Sequence, residues 1–129
     1  MTSLHAFADE AQAGASRLAL ALNLPVNQIA VHTFADRETL PHVSNVNANA
    51  LLFRSLHNPN VKLIETLLAA DALRRAGARS ITLIAPYLPY LRQDTVFHPG
   101  QPLSRDVVLP LIARHVDAVV TVDPHLHRT

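Results

Sequence analysis

Ile81-Thr-Leu-Ile-Ala-Pro86-Tyr87-Leu-Pro-Tyr90-Leu-Arg92-Gln93-Asp94, running on through Thr95-Val-Phe-His98-Pro-Gly100-Gln-Pro-Leu-Ser104, is the stretch on which the fold turns. Ile81 to Ala85 is apolar and β-branched, the composition of a buried strand. The prolines that follow withdraw backbone donors and end regular pairing. A cation, an amide and a carboxylate then arrive in a row, just beyond the strand. An open α/β sheet puts its ligands outside the carboxyl ends of its strands. Together the three groups can hold a polyanion, read a hydrogen-bonding edge and help place a metal. Taken alone, the triplet reads as a solvated loop, the default setting of polar residues.

Working outward, the chain alternates strand and helix patterns. Leu4 to Phe7 reads as a short strand. An Ala/Leu-rich helix follows from Asp9 or Ala8 to about Leu22, with Leu18 and Leu22 on its buried face and Asn23-Leu24-Pro25 as its stop. Gln28 to Phe34 and Thr39 to Val43 are strand candidates, Ser44 to Asn49 a polar loop, and Ala50 to Arg54 a buried strand. Asn60 is the candidate N-cap of a long helix marked by Val61, Ile64, Leu67, Leu68, Asp71 and Ala72, with Gly77 just past its end. Ser104 is expected to cap a further helix with Val107, Val108, Leu111 and Ile112 inward, kinked or shortened by Pro110. Ala118 to Val122 is the last strand. This alternation predicts an α/β fold, a mainly parallel sheet flanked by helices on both faces, with Ile81 to Ala85 as the central strand.

With 129 residues, 49% of them hydrophobic and 16% charged, the chain is expected to form one soluble globular domain. A net charge of +1, four Phe, two Tyr and no Trp argue against nucleic acid. The absence of cysteine removes thiolate chemistry and disulfides and fits a reducing compartment. No run is long and apolar enough for a membrane span and no signal-peptide pattern opens the chain, so a cytoplasmic location is expected. With only three glycines, Gly14, Gly77 and Gly100, no phosphate-cradling glycine loop is encoded. A bound nucleotide would have to be held by side chains.

Every polar cluster with chemical potential follows a strand: Asp36/Glu38, Ser55/His57/Asn58, Arg92/Gln93/Asp94 and Asp123/His125/His127. In extended backbone Asp123, His125 and His127 fall on one side, able to converge on a metal or a phosphate. Phe34, Asp36 and Glu38 likewise alternate, offering an aromatic face and two acceptors to a planar ring. The same three residues fit an ordinary hairpin with Phe34 in the core. The remaining histidines of the eight are read as residues that fill a hydrogen bond.

At this point the chain resembles the ribose-phosphate pyrophosphokinases, also called phosphoribosyl pyrophosphate synthetases. Phe34-Ala-Asp-Arg-Glu38 is similar to that family's Phe-Ser-Asp-Gly-Glu, and Asp71-Ala-Leu-Arg-Arg-Ala76 to its long-helix ending. Pro86-Tyr87-x-x-Tyr90-x-Arg92-Gln93-Asp94 matches Pro-Tyr-x-x-Tyr-x-Arg-Gln-Asp, and Asp123-Pro-His125 stands where the family has Asp-Leu-His. The spacing from Thr95 to Ser104 is most similar to the archaeal-type branch.

The resemblance implies a type I phosphoribosyltransferase-like domain over residues 1–129, the N-terminal half of an enzyme that moves pyrophosphate from ATP to ribose 5-phosphate with Mg2+. It gives Arg92 and Gln93 to ATP, with Asp94 supporting their loop. Phe34, Asp36 and Glu38 would hold the adenine end from a neighbouring subunit of a homo-oligomer, and His125 would sit at the metal–phosphate centre. No catalytic residue is assigned, because the family's ribose-phosphate loop and catalytic lysine/arginine loop have no counterpart here. The chain by itself is therefore expected to show no turnover. Arg37 stands in place of the family glycine and Pro124 in place of its leucine. A non-catalytic, synthetase-like regulatory subunit and a His-x-His metal hydrolase are the rival readings.

Overall fold

The computed structural model describes residues 1–9 and 12–121. Its elements run β1 (Thr2–Phe7), α1 (Gln12–Leu22), β2 (Val26–Thr33), β3 (Thr39–His42), β4 (Asn49–Phe53), α2 (Pro59–Arg75), β5 (Ser80–Ile84), α3 (Ser104–Ala113) and β6 (Ala118–Val120). The strands form one sheet in the order β3-β2-β1-β4-β5-β6. All neighbours are parallel except β2 and β3, which form an antiparallel hairpin. The expected α/β architecture is therefore present. The centre of the sheet belongs to β1 and β4, not to β5.

Alternation along the strands divides the core between two faces. Leu4, Ala6 and Phe53 pack with Ala15 and Ala19 of α1. Ala50, Leu52, Ile81 and Leu83 pack with Leu63, Ala69, Ala70 and Leu73 of α2 and with Ile112 of α3. The buried face of α1 is made of alanines, and that of α2 mixes Ala69 and Ala70 with Leu63 and Leu73. A Cβ on Gly14 would meet the Phe53 ring at 3.0 Å. The expected faces are corrected accordingly: Leu22, Val61, Ile64, Leu68 and Val107 are exposed at 44, 66, 54, 41 and 63%.

Helix ends show the same mix of agreement and correction. Asn23, at φ 56, ends α1 as expected: its N–H donates to the Leu20 carbonyl at 3.2 Å and that of Leu24 to Ala19 at 2.9 Å. Gly77, at φ 114, ends α2 in the same paired pattern, with Gly77 N–H to Arg74 and Ala78 N–H to Leu73. Asn60 is not the N-cap of α2. That position is Asn58, in left-handed conformation with no side-chain cap, and Pro59 opens the helix. Ser104 does not cap α3 either. Leu103 holds the cap position, and the Ser104 hydroxyl turns to Gln93 instead.

Candidate active site

Because β1, β2, β4, β5 and β6 are parallel, their carboxyl ends share one edge of the domain. The chain order reverses between β1 and β4, the place where open sheets leave a crevice. Backbone bonds draw the segments leaving β4, β5 and β6 together: Arg54 N–H reaches the Ile84 carbonyl at 3.1 Å, Leu56 N–H the Tyr87 carbonyl at 3.0 Å and Ala85 N–H the Val120 carbonyl at 2.9 Å.

A cleft of about 520 Å³ opens there, between the start of α2 (His57, Asn58, Asn60) and the segment after β5 (Tyr87, Tyr90, Arg92). The Tyr90 hydroxyl, on a backbone held at φ 64, donates to Asn60 and ties the two walls. Arg92 is exposed and makes no ion pair or hydrogen bond with any described residue. With no side-chain cap from Asn58, the first-turn N–H groups of α2 stay open and the positive end of the helix dipole faces the cleft. Among the described residues no acidic side chain lines it. Such a cleft suits an anion.

Gln93 has a different setting. Its carbonyl oxygen accepts from the Ser104 N–H at 3.1 Å and the Ser104 hydroxyl at 2.6 Å, and its amide donates to the Pro102 carbonyl. These bonds fasten the loop after Arg92 to the head of α3. Asp94, half-buried, has no such bond among the described residues. Gln93 does the fastening.

Phe34, Asp36 and Glu38 lie on the exposed β2–β3 hairpin. Phe34 is 45% exposed and not in the core; it meets His32 edge-on at 4.6 Å. The Phe34 N–H donates to the Glu38 carbonyl at 2.8 Å, the Arg37 N–H to the Phe34 carbonyl at 2.9 Å, and Asp36 accepts from the Glu38 N–H at 3.0 Å. Glu38 borders a depression with Asn60, Val61 and Ile64, which shares Asn60 with the Arg92 cleft. The turn forces Arg37 to φ 77, the left-handed region that favours glycine. Replacing Arg37 by glycine should raise the unfolding free energy by about 0.5–1 kcal/mol, measured by urea denaturation.

His125 and His127 lie outside the described residues, and no group of three His, Asp or Glu able to hold a metal is found among the described ones. The sequence reading missed a buried ion cluster beside the site. Arg54 donates through Nε to Asp9 at 2.9 Å and through Nη1 to Glu65 at 2.7 Å, and its guanidinium lies 3.9 Å from the centre of the Phe7 ring. One signal for it was available: a single charge ending the otherwise apolar run Ala50-Leu-Leu-Phe-Arg54.

A mainly parallel sheet with a switch point at its middle and an anion-suited cleft at the strand ends defines an open α/β ligand-binding domain. The model of the N-terminal domain of ribose phosphate pyrophosphokinase matches residues 6–115. The chain belongs to the ribose-phosphate pyrophosphokinase family, as its N-terminal domain. It is 38% identical over 115 residues to the ribose-phosphate pyrophosphokinase of Granulibacter bethesdensis, covering 86% of this chain and 37% of that protein. The corresponding enzyme of Pyrococcus furiosus is 32% identical over 106 residues, covering 81% and 38%. Phosphoribosylpyrophosphate synthetase from Mycobacterium smegmatis superposes with a TM-score of 0.82 at 29% identity, covering 98% of this chain and 44% of that one. The chain thus spans less than half the length of these relatives.

Proposed function

We propose that this domain is the ATP side of a ribose-phosphate pyrophosphokinase. In that reaction the 1-hydroxyl of ribose 5-phosphate bonds to the β-phosphorus of ATP, the α–β bridging bond breaks, AMP leaves and the hydroxyl proton is released. The observation that carries the reading is Arg92, a guanidinium without an ion pair or hydrogen bond among the described residues, at the mouth of a cleft that no carboxylate of those residues lines. Phosphoryl-type transfer asks the protein mainly to position groups and offset charge. Arg92 meets the polyphosphate, and Gln93 acts from the same loop, whose shape its bonds to Pro102 and Ser104 maintain.

Phe34, Asp36 and Glu38 serve the adenine end of a neighbouring copy's site. The homo-oligomer this requires is carried by the family resemblance, and the exposure of Phe34 on its hairpin leaves it accessible to such a neighbour. Mg2+, with His125 as its contact, is carried by the family resemblance. The ion would neutralise phosphate charge when bound. Ribose 5-phosphate falls to the portion of the relatives' length that this chain does not match. The setting is the cytoplasm; no helix among the described residues is long and apolar enough to cross a membrane.

Titration with ATP tests the reading. Arg92→Ala should weaken binding about 10–100-fold, the worth of hydrogen bonds to a charged group. Equal affinity in the variant and the wild type would overturn it.

A further inference from the structure

His57 stands in the wall of the Arg92 cleft, and its surroundings differ from those of His5, His115 and His32. His5 is fully buried, His115 is engaged with the Leu111 carbonyl, and His32 sits edge-on to Phe34. The His57 ring lies against Tyr87, with centroids 4.3 Å apart and planes 20° from parallel. Its Nδ1 is 2.9 Å from the hydroxyl of Ser55, itself only 5% exposed at the end of β4. The backbone bond from Leu56 to Tyr87 holds the two segments that carry these contacts.

This exposed ring is therefore fixed from two directions while its Nε2 has no partner among the described residues. When Ser55 donates to Nδ1, the ring proton resides on Nε2, which becomes a donor at the cleft. The open helix N-terminus and Arg92 offer the same kind of group to the same space. A donor already held in place loses little freedom on binding, so more of its hydrogen bond survives as affinity.

We infer that His57 is a phosphate-contacting residue of the Arg92 cleft, with Ser55 and Tyr87 as its positioning residues. The inference rests on the nucleotide reading of that cleft and adds a second side-chain contact, from α2's side, to the polyphosphate. The ligand chemistry is a chain of phosphate oxygens, so the contact belongs to the phosphate donor and not to its base.

The test is calorimetric titration of the full chain with ATP and, separately, with inorganic tripolyphosphate. His57→Phe keeps a flat ring against Tyr87 and removes both nitrogens; it should bind ATP and tripolyphosphate about 10- to 100-fold more weakly, as loss of one hydrogen bond to a charged group requires. His57→Gln, which restores a side-chain N–H, should recover part of that loss. Ser55→Ala should cost about two- to threefold through a ring no longer oriented. Thermal unfolding of each variant confirms folding, and His57→Ala repeats the measurement if the phenylalanine variant does not fold.

If Arg92→Ala weakens binding while His57→Phe and His57→Ala leave it unchanged, the inference fails and the nucleotide reading stands. If His57→Phe weakens ATP but not tripolyphosphate, the imidazole touches the nucleoside and the phosphate assignment fails. If wild type binds neither probe, or Arg92→Ala equals wild type, the nucleotide reading fails and takes the inference with it.

Discussion

Replacing Arg54 with methionine should lower the unfolding free energy by about 3–5 kcal/mol, visible as a large drop in the urea midpoint. The reason is what remains behind. Arg54 and Glu65 are 7 and 6% exposed, and Asp9 lies at the second guanidinium bond. Methionine fills much of the same volume against Phe7 but leaves the buried Glu65 carboxylate without its guanidinium. Adding Glu65→Gln to Arg54→Met should recover a substantial part of the loss, since one buried charge is then gone. A double variant no more stable than Arg54→Met would show that the ion cluster is not the source of the effect. The cluster joins β1, β4 and α2 directly behind the ligand edge, so the same substitution should also loosen that edge.

Acid should destabilise the domain in two separate windows. His5 is 0% exposed, its Nε2 lies 2.7 Å from the Ser3 hydroxyl, and its Nδ1 has no partner. Burial disfavours the imidazolium and lowers its pKa below the ordinary value of 6.5. The unfolded chain therefore takes up the proton more readily. Stability contributed by neutral His5 is complete above that value and declines as pH falls through it towards the folded-state pKa, by up to about 1.4 kcal/mol per pH unit. Urea denaturation between about pH 7 and 5 reads the slope, and His5→Leu should flatten it. An unchanged slope in that variant would assign the effect elsewhere. Asp117 acts lower. Its carboxylate accepts from the Ile81 N–H at 2.8 Å and from Arg74 at 2.7 Å, which hold its pKa below the usual 3.8. Its contribution is present above that value and lost only as pH falls through the folded-state pKa.

The strand–helix alternation made the sheet legible because buried parallel strands are short apolar runs punctuated by helix patterns. Helix faces were harder to read. Hydrophobicity marked Val61, Ile64 and Leu68 as inward, yet α2 approaches the sheet through Ala69, Ala70 and Thr66, where small side chains permit close contact. Glu65 is on that inner side too, a position no apolar pattern would assign to a carboxylate; Arg54, distant in sequence, pairs with it there. In the site, Arg92 was legible as the polar outlet of a strand. The setting of His57 was not, because it depends on Tyr87 and Ser55 meeting across two different strand ends.

The position of β1 bears on how the domain is made. Leu4 pairs with Val26 on one side and with Leu51 on the other, so the first strand completes both of its ladders only after β4 exists. Such distant pairings require loop closure before they return any stability, and they slow folding. During synthesis, the strand that will become the middle of the sheet must wait half-paired on the ribosome, its free edge open to other chains until the fourth strand arrives.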